Sequence, residues 1–221
     1  MDEQKILTKE QALFLKLFSK NSELVDRFYL TGGTALAEYY TPYRYSEDLD
    51  FFTQDEVDTR PIAVFFKSIQ PKLKYKSMDI NTSFNRNMFF LDFPHSVLKL
   101  EFTYFPFPLI EAPKKYGGVR VNSVLDIAVD KLFTIYQKPR SRDFMDLYMI
   151  LNEYDFLLDD LIAKARIKFD WTIDPIKLGS QFLLAKELKD YPKLIKPLSE
   201  KNWQKYFITK ARELGKKIFS K

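Results

Sequence analysis

The sequence contains no cysteine and only one histidine, His95, among its 221 residues. The lack of cysteine excludes disulfide bonds, thiolate metal sites and cysteine nucleophiles. The single histidine excludes a multi-histidine metal site and argues against histidine-based catalysis. His95 follows Pro94 at a predicted strand turn, so we assign it to a loop. Any metal site in this chain would therefore use oxygen ligands, which suit Mg²⁺ or Mn²⁺ better than zinc.

Long apolar runs are also missing. No run of about 18 uncharged apolar residues occurs, so we expect no membrane-spanning segment. The N-terminal sequence MDEQKILTKEQ lacks a basic segment followed by an apolar one, which predicts that there is no signal peptide. Together these features favour a cytoplasmic protein without a membrane partner. An apolar content of 46% is ordinary for a globular protein, and the length suits one large domain or two small ones.

The net charge is +5 at pH 7. Mildly basic domains often bind nucleic acid, but the same charge also suits a surface that is merely soluble. Acidic residues concentrate in residues 47–58 and 143–160, whereas lysines are frequent in the C-terminal part. Charge alone therefore leaves both interpretations open.

The sequence pattern divides the chain into an α/β part and a helical part. Through residue 121 it predicts helices at 8–18, 34–40 and 61–69, and strands at 28–30, 48–52, 75–82, 87–93 and 97–105, with an edge strand at 119–121. A T-x-x-Q capping box opens the first helix, and Pro71 is expected to close the third. From Ser123 onward it predicts helices at 123–137, 142–153, 156–168, 175–188 and 200–219. We therefore expect an α/β core at residues 1–121 and a helical domain at 122–221.

Two aspartates alternate with apolar residues in the predicted strand DLDFF, residues 48–52. Residues two apart on a strand project to the same face, about 7 Å apart, so Asp48 and Asp50 bring two carboxylates together. Like charges this close in an apolar strand are costly unless a cation neutralises them. The pattern suggests a divalent-cation site, with a pair of surface carboxylates at a strand end as the alternative.

A glycine turn precedes these aspartates. Gly32, Gly33 and Thr34 lie between a predicted strand and a predicted helix, where backbone N–H groups and the positive end of the helix can bind a phosphate. Thr34 adds a hydroxyl group. Turns also use Gly-Gly-Thr for purely structural reasons, but a nucleoside triphosphate with its metal ions needs both the phosphate turn and the carboxylates.

The segment GGTALAEYYTPYRYSEDLDFF resembles the opening motif of nucleotidyltransferases with the DNA polymerase β-like fold. It is most similar to the AbiEii/AbiGii toxin family, in which Gly-Gly-Thr-x-Leu is followed by Arg-x-Ser-x-Asp-Leu-Asp-Phe. The matching residues are Gly32, Gly33, Thr34, Leu36, Arg44, Ser46, Asp48, Leu49, Asp50 and Phe51. The resemblance implies an α+β fold, with a polymerase β-like mixed sheet, flanking helices and a helical C-terminal region.

The resemblance also implies a third carboxylate on a later strand of the same face. Glu101 is the first candidate because residues 97–105 alternate most clearly, with Lys99 on the same face as Glu101. Asp92 in FFLDF is the second candidate. With Asp48 and Asp50, the third carboxylate would ligate Mg²⁺. The alternative for Glu101 is a simple surface ion pair with Lys99.

A second feature of the same family lies in DIAVDKLFTIYQKPRSRDFMDLYMI. This segment resembles the family's lysine helix followed by an Arg-x-x-Asp-type helix, so the resemblance now covers roughly residues 30–151. It implies that Lys131 contacts the triphosphate, that Arg142 binds a phosphate, and that Asp143 and Asp146 share a helix face near the site. The alternative is a solvated face with ion pairs from Arg140 and Arg142 to Asp146.

Taken together, the resemblance implies a Mg²⁺-dependent nucleotidyltransferase, the toxin of a toxin–antitoxin or phage-abortive system. It would transfer a nucleotide from an NTP to RNA, with tRNA the leading acceptor and a separately encoded antitoxin as partner. The implied catalytic residues are Asp48, Asp50, Glu101, Lys131 and Asp146, and the implied nucleotide-binding residues are Gly32, Gly33, Thr34, Arg44, Ser46, Lys131, Arg142 and Asp143. The alternatives are a small-molecule nucleotidyltransferase, a phosphotransferase on the same scaffold, and a non-catalytic nucleotide- or RNA-binding module whose three carboxylates do not converge.

Overall fold

A computed structural model describes residues 6–219 of the protein, with side chains as far as residue 216. Residues 1–5, which belong to the segment used to predict the lack of a signal peptide, lie outside the described residues. The chain forms two compact units. The first contains the described residues up to Tyr40 together with Tyr45–Ser123, and the second contains Thr41–Arg44 and the chain from Val124 onward. No helix within residues 6–219 is long and apolar enough to cross a membrane, and the cytoplasmic location stays a prediction.

The first unit is a mixed β-sheet with flanking helices. Its helices are α1 (Lys9–Phe18), α2 (Ser22–Arg27), α3 (Gly32–Tyr39) and α4 (Thr59–Leu73), and its strands are β1 (Tyr29–Thr31), β2 (Leu49–Thr53), β3 (Ser77–Ser83), β4 (Arg86–Asp92), β5 (Val97–Tyr104), β6 (Lys114–Tyr116) and β7 (Val119–Val121). The seven strands lie in the order β3-β4-β5-β2-β1-β7-β6. The β2/β5 and β1/β7 pairs are parallel, and the others are antiparallel. The predicted α+β class with a mixed sheet is confirmed.

One face of this sheet is covered by aromatic side chains from α1 and α4. The Phe51 and Phe102 rings of the neighbouring strands β2 and β5 stack with centroids 5.1 Å apart, and Phe18 of α1 lies 4.5 Å from Phe51. Phe66 of α4 contacts Phe89 on β4 at 4.8 Å. Each buried Phe contributes about 1.5–3 kcal/mol of hydrophobic stabilisation. Because side chains alternate along a strand, the residues between these rings are directed to the opposite face.

Two expectations for the first unit are wrong. Val119–Val121 is not an edge strand, because β6 pairs with it on one side and β1 on the other. The sequence KKY of β6 is short and mostly charged, which is typical of an edge strand but gives no apolar alternation. Pro71 does not close α4, which continues to Leu73 and ends at Lys74 in the left-handed conformation. Pro71 has no N–H to donate to the carbonyl four residues earlier, but the buried Leu73 holds the last turn against the core.

The second unit is helical. It contains α5 (Val124–Gln137), α6 (Ser141–Glu153), α7 (Leu158–Phe169), α8 (Pro175–Leu183) and α9 (Glu200–Phe219), with a short 3₁₀ turn at Leu184–Lys186. Phe144 packs against Phe207 at a centroid distance of 4.8 Å and stacks on Trp203 at 6.2 Å. The segment Thr41–Arg44 joins this unit through backbone hydrogen bonds, since the Tyr43 carbonyl accepts from the N–H of Ile195 (2.8 Å) and of Lys196 (3.1 Å).

Candidate active site

The face opposite the aromatic core carries the predicted carboxylates. Asp50 on β2 and Glu101 on β5 are direct partners in the parallel ladder, so their side chains leave the sheet side by side. Asp48 lies in the loop just before β2, two residues from Asp50 and one residue before the strand begins. We call this side of the sheet, defined by Asp50 and Glu101, the carboxylate face.

Asp92, the last residue of β4, does not lie beside Asp50 and Glu101. It pairs with Val97, four residues before Glu101 on β5, which is about 13 Å along the strand. The Ser77 hydroxyl donates to its Oδ2 at 2.6 Å. Of the two sequence candidates for the third carboxylate, Glu101 is therefore the one beside Asp50.

Two cationic side chains of the first unit contact these carboxylates. The Lys99 ammonium group lies 2.6 Å from Asp48 Oδ2. The Arg86 guanidinium donates from Nε to Glu101 Oε1 at 2.6 Å and from Nη2 to Oε2 at 2.5 Å, while the Thr103 hydroxyl donates to Oε1 at 2.8 Å. The proposed surface pair between Glu101 and Lys99 is wrong: Glu101 is buried and bound to Arg86, and Lys99 is bound to Asp48.

These contacts set the charge state of Glu101. Burial by itself would raise its pKa, but the hydrogen bonds from Arg86 and Thr103 and the Arg86 charge bring the pKa below its usual value. The pKa of Arg86 is raised, first by its hydrogen bonds to Glu101, with smaller contributions from the charges of Asp50 and Asp48. Arg86 therefore stays charged and lies within the electrostatic field of all three carboxylates.

The carboxylate face fits a divalent cation only in part. Asp48 and Asp50 are hard oxygen donors two residues apart, as Mg²⁺ and Mn²⁺ require. Both oxygens of Glu101 face Arg86, and within residues 6–219 no group of three acidic or histidine side chains is arranged to hold a metal ion. The aspartate pair thus suits a metal ion, whereas the ligand role of Glu101 stays a prediction that requires Arg86 to move.

The glycine turn lies directly against this cluster. Gly32 opens α3 with a positive φ of 73°, and a Cβ atom at this position would overlap Asp50 Oδ2. Only glycine combines this backbone angle with so close an approach of the carboxylate. The preceding residue, Thr31, makes no side-chain cap to α3, because its hydroxyl accepts instead from Asn122 Nδ2 at 3.1 Å. The first N–H groups of α3 therefore lack a side-chain cap.

The hydroxyl group of Thr34 stabilises the loop that carries Asp48. Thr34 is fully buried, and its Oγ1 donates to the backbone carbonyl of Asp48. This contact favours a positioning role for Thr34, which fixes the backbone that carries the Asp48 carboxylate. A direct contact from Thr34 to phosphate stays a prediction.

Gln11 also contacts this site, although no sequence motif indicated it. Its Nε2 donates to the carbonyl oxygens of Ser46 (3.1 Å) and Glu47 (2.9 Å), which precede Asp48. Its Oε1 accepts from the Thr8 N–H at 2.9 Å, so the predicted capping box of α1 is confirmed. The available signal in the sequence was a glutamine three residues before Phe14, on the apolar face of α1. Such a residue is expected to be buried, and a buried amide needs polar partners.

In the second unit, the predicted site residues form a buried ion-pair cluster. Asp146 Oδ1 accepts from the Tyr43 hydroxyl (2.6 Å) and from Arg44 Nε (2.7 Å), and Oδ2 accepts from Arg44 Nη2 at 2.8 Å. Lys131 Nζ lies 2.7 Å from Asp146 Oδ2 and 2.7 Å from Asp143 Oδ1. Both aspartates are fully buried and Arg44 is almost so.

The solvated face considered for Asp143 and Asp146 is therefore wrong. Asp146 pairs with Arg44 and Lys131 inside the unit, and Arg140 donates from Nε to Asp143 Oδ2 at 2.9 Å. Burial alone would raise the pKa of Asp146, but the charges of Arg44 and Lys131 hold it well below its usual range. Burial would likewise lower the pKa of Lys131, yet the two aspartates raise it. All three groups are thus ionised.

The remaining predicted residues of the second unit differ in exposure. Arg142 is exposed on α6, as a phosphate-binding arginine could be. The amino group of Lys131 is held by two carboxylates in its own unit. Roles for Lys131, Asp143, Asp146 and Arg142 in nucleotide binding or catalysis stay predictions.

Comparison with known proteins assigns the family. The sequence profile of the nucleotidyl transferase AbiEii toxin, a type IV toxin–antitoxin system family, matches residues 15–214. The chain belongs to this family. The resemblance found in the sequence motifs is confirmed, and it extends over the C-terminal helices, which carry none of those motifs.

The individual relatives agree with this assignment. The chain is 32% identical over 144 residues to an uncharacterised protein of Aquifex aeolicus (strain VF5), a match that covers 64% of this chain and 66% of that relative's length. A crystal structure of a candidate nucleotidyltransferase from H. pylori is similar over 97% of this chain and 98% of its own, with a TM-score of 0.60 and 21% identity. The structure of JHP933 from Helicobacter pylori is similar over 97% and 95%, with the same TM-score and identity. At this identity the two structures support the fold.

Proposed function

We propose that the protein is a nucleotidyltransferase that transfers a nucleotide from an NTP to an RNA acceptor and acts as the toxin of a type IV toxin–antitoxin pair. The observation that supports it best is the carboxylate face, where Asp50 lies against the Gly32 turn and beside Glu101, with Asp48 two residues away. The family supports nucleotidyl transfer. It also supports an antitoxin partner, and tRNA is the acceptor class that we favour.

In this proposal Asp48 and Asp50 hold the divalent metal ion, Mg²⁺ or Mn²⁺. When bound, such an ion neutralises phosphate charge and activates an acceptor hydroxyl group. The first N–H groups of α3, beginning at Gly32 and Gly33, bind phosphate at the positive end of the helix. Positioning and charge neutralisation dominate phosphoryl-type transfer, so a histidine base is not needed.

The surrounding residues hold the aspartates in place. Thr34 fixes the Asp48 backbone, and Gln11 fixes the two residues before it. We propose that Asp146 acts as a positioning residue in the second unit, since it binds Arg44 and Tyr43, and that Lys131 supports it by pairing with Asp146. Arg44, two residues before Ser46 in the sequence, thereby has a fixed conformation.

The proposal is tested by incubating the protein with each labelled NTP, Mg²⁺ and total tRNA. We expect label on the RNA with the wild type and none with Asp48→Asn. Asp92→Asn serves as the matched control, because it removes a carboxylate of the same sheet about 13 Å along the strand from the level of Glu101, and it should leave transfer unchanged. A wild type that binds NTP but transfers no label would refute the enzymatic proposal. Label transfer that persists in Asp48→Asn would refute the metal assignment.

One observation favours a second candidate, a non-catalytic nucleotide- or RNA-binding module. Both oxygens of Glu101 are bound by Arg86, and within residues 6–219 no three acidic or histidine side chains are arranged to hold a metal ion. This candidate predicts NTP binding without turnover at any concentration of Mg²⁺ or Mn²⁺. Toxicity on expression that Asp48→Asn relieves would favour the toxin instead, and labelling that ignores added RNA would indicate a small-molecule acceptor.

A further inference from the structure

The hairpin between β3 and β4 ends in an isolated aromatic ring. Ser83 and Arg86 form the last pair of the ladder, which leaves Phe84 and Asn85 as the two turn residues. The Phe84 side chain is 96% exposed, and within residues 6–219 no other ring contacts it. Such exposure is unusual for phenylalanine, which is normally among the most buried residues.

The backbone makes the choice of phenylalanine at this position more unusual. Phe84 has a positive φ of 53°, in the left-handed region that favours glycine or asparagine and disfavours bulky side chains. Asn85, one residue later, would suit the position better. The exposed ring therefore contributes no packing energy, and the backbone at Phe84 is strained. This combination points to a ligand contact.

Arg86 comes two residues after Phe84 in the chain and faces the carboxylates. It pairs across the ladder with Thr103, two residues from Glu101, so its side chain lies on the carboxylate face. Glu101 binds the Nε and Nη2 edge of the guanidinium. The side chain is 55% exposed, and no described residue binds its Nη1 group. Glu101 thus orients a guanidinium whose open edge can bind a phosphate.

The sheet order separates the two sides of the candidate site. Gly32 follows β1, the carboxylates lie on β2 and β5, and Arg86 lies on β4, in the spatial order β4-β5-β2-β1. If phosphates of the NTP bind at the Gly32 turn, the hairpin tip lies across the carboxylates from them. An acceptor that binds across the carboxylates from the NTP would therefore meet the hairpin tip.

We propose that Phe84 and Arg86 bind the single-stranded end of the RNA acceptor, with Phe84 stacking on an unpaired base and Arg86 contacting its phosphate. This inference rests on the proposed function. Base stacking on an exposed aromatic ring tolerates any sequence, and an adjacent cation contacts the backbone. The turn offers one ring beside the polar Ser83 and Asn85, whereas a protein or membrane contact needs a contiguous apolar patch.

The test measures binding to the full-length protein in Mg²⁺ buffer, by anisotropy of a fluorescein-labelled single-stranded RNA oligonucleotide of mixed sequence. Phe84→Gly removes the ring and suits the positive φ, so we expect RNA affinity to fall about tenfold or more while the melting temperature stays the same or rises. Phe84→Trp should keep the affinity and add fluorescence that RNA quenches. Ile80→Ala, at a half-exposed apolar residue of β3 on the opposite face, is the control and should bind normally.

Arg86 gives an independent measurement. Arg86→Gln should lower the dependence of log affinity on log salt by about 0.7, the value for one phosphate contact on a single strand. Wild-type RNA affinity in Phe84→Gly would overturn the inference, and so would a lower melting temperature that makes the ring structural. An equal loss of NTP affinity would also overturn it, because the base bound would then be the nucleotide's.

The outcome is separable from that of the proposed function. If Asp48→Asn abolishes nucleotide transfer while Phe84→Gly binds RNA normally, only the acceptor contact fails. If RNA binding depends on Phe84 but the wild type transfers no label, the contact stands and the transferase proposal fails.

Discussion

The two units each carry a cluster of acidic and basic side chains, and the clusters differ in burial. On the carboxylate face, the Lys99–Asp48 pair is partly open to solvent, with 26% and 34% of the side chains exposed. In the second unit, Asp146 is closed off and binds Tyr43, Arg44 and Lys131. An ion pair in contact with water contributes about 0–1 kcal/mol, whereas removing one member of a buried pair costs several.

This difference indicates different tasks. Because the Lys99–Asp48 pair is worth little, a stronger cation could replace Lys99 at low cost, as a metal-binding site requires. The Asp146 cluster cannot exchange partners without leaving unpaired charges in the protein interior. We therefore interpret the cluster on the carboxylate face as the site of chemistry and call it the chemical cluster. The Asp146 cluster supports the segment Thr41–Arg44, and we call it the structural cluster.

The largest predicted effect breaks the second cluster. Asp146→Ala leaves Arg44 and Lys131 buried without their shared counter-charge, so we expect unfolding free energy to fall by about 3–5 kcal/mol. Asp48→Ala should cost about 1 kcal/mol or less. Urea unfolding at pH 7 measures both variants. Equal losses in the two variants would remove the distinction between the clusters.

The same cluster predicts the response to acid. Because the folded-state pKa of Asp146 is lowered, its stabilisation is present above the unfolded pKa, about 4. It is lost as the pH falls through the lowered folded value. The stability difference between wild type and Asp146→Ala should therefore shrink as the pH is lowered below about 4.

A glycine pair tests the chemical cluster. Gly32→Ala places a Cβ against Asp50 Oδ2 at a positive φ, whereas Gly117, also at a positive φ, has no atom within 4 Å of its would-be Cβ. We expect Gly32→Ala to cost about 1–3 kcal/mol and to weaken Mn²⁺ binding by displacing Asp50. Gly117→Ala should cost about 1 kcal/mol and leave Mn²⁺ binding intact. Manganese titration by electron paramagnetic resonance separates the two, and equal Mn²⁺ affinities would refute the close approach as a requirement.

Gln11 links the core to the chemical cluster. Gln11→Leu keeps the approximate volume but removes both donors to the carbonyls of Ser46 and Glu47, so we expect a loss of about 1–2 kcal/mol. Label transfer to RNA should fall more than NTP affinity, because the Asp48 loop loosens while the α3 turn is untouched. Leu13→Gln, at a residue of α1 that lies near the surface, is the control. Unchanged transfer in Gln11→Leu would show that Thr34 alone fixes the loop.

Local patterns in the sequence predicted the chemical cluster well. Alternation along β2 and β5 directs Phe51 and Phe102 into the core and Asp50 and Glu101 to the other face, and a period of two is visible in a single strand. Lys99 was considered as the partner of Glu101 because the two residues share a face of the same strand, so the true partner, Arg86, was not predicted. Arg86 reaches Glu101 from β4, and the register of two strands is not contained in the alternation of one.

The structural cluster could not be predicted in the same way. Arg44 and Asp146 are 102 residues apart in the sequence, and no periodicity connects them. Thr41–Arg44 is too short to show a hydrophobic periodicity, so the sequence could not predict that it belongs to the second unit. A solvated face was the alternative considered for Asp143 and Asp146, which share one helix face, but helix spacing cannot tell water from a buried counter-charge.

The smallest predicted effect concerns Asp130 of the second unit, whose pKa is shifted in the opposite direction from that of Asp146. Lys168 Nζ lies 2.6 Å from Asp130 Oδ1 and 2.9 Å from Asp126 Oδ1. Burial raises the pKa of Asp130 to about 6, since Lys168 lowers it only in part and Asp126 raises it further. A raised folded-state pKa means that the folded protein gains stability as the pH falls through about 6. Asp130→Asn should remove this gain, so its stability relative to wild type should improve by about 1 kcal/mol between pH 5 and pH 7.5 in urea unfolding. A difference that does not vary with pH would mean that Lys168 keeps Asp130 ionised, as Arg44 and Lys131 keep Asp146.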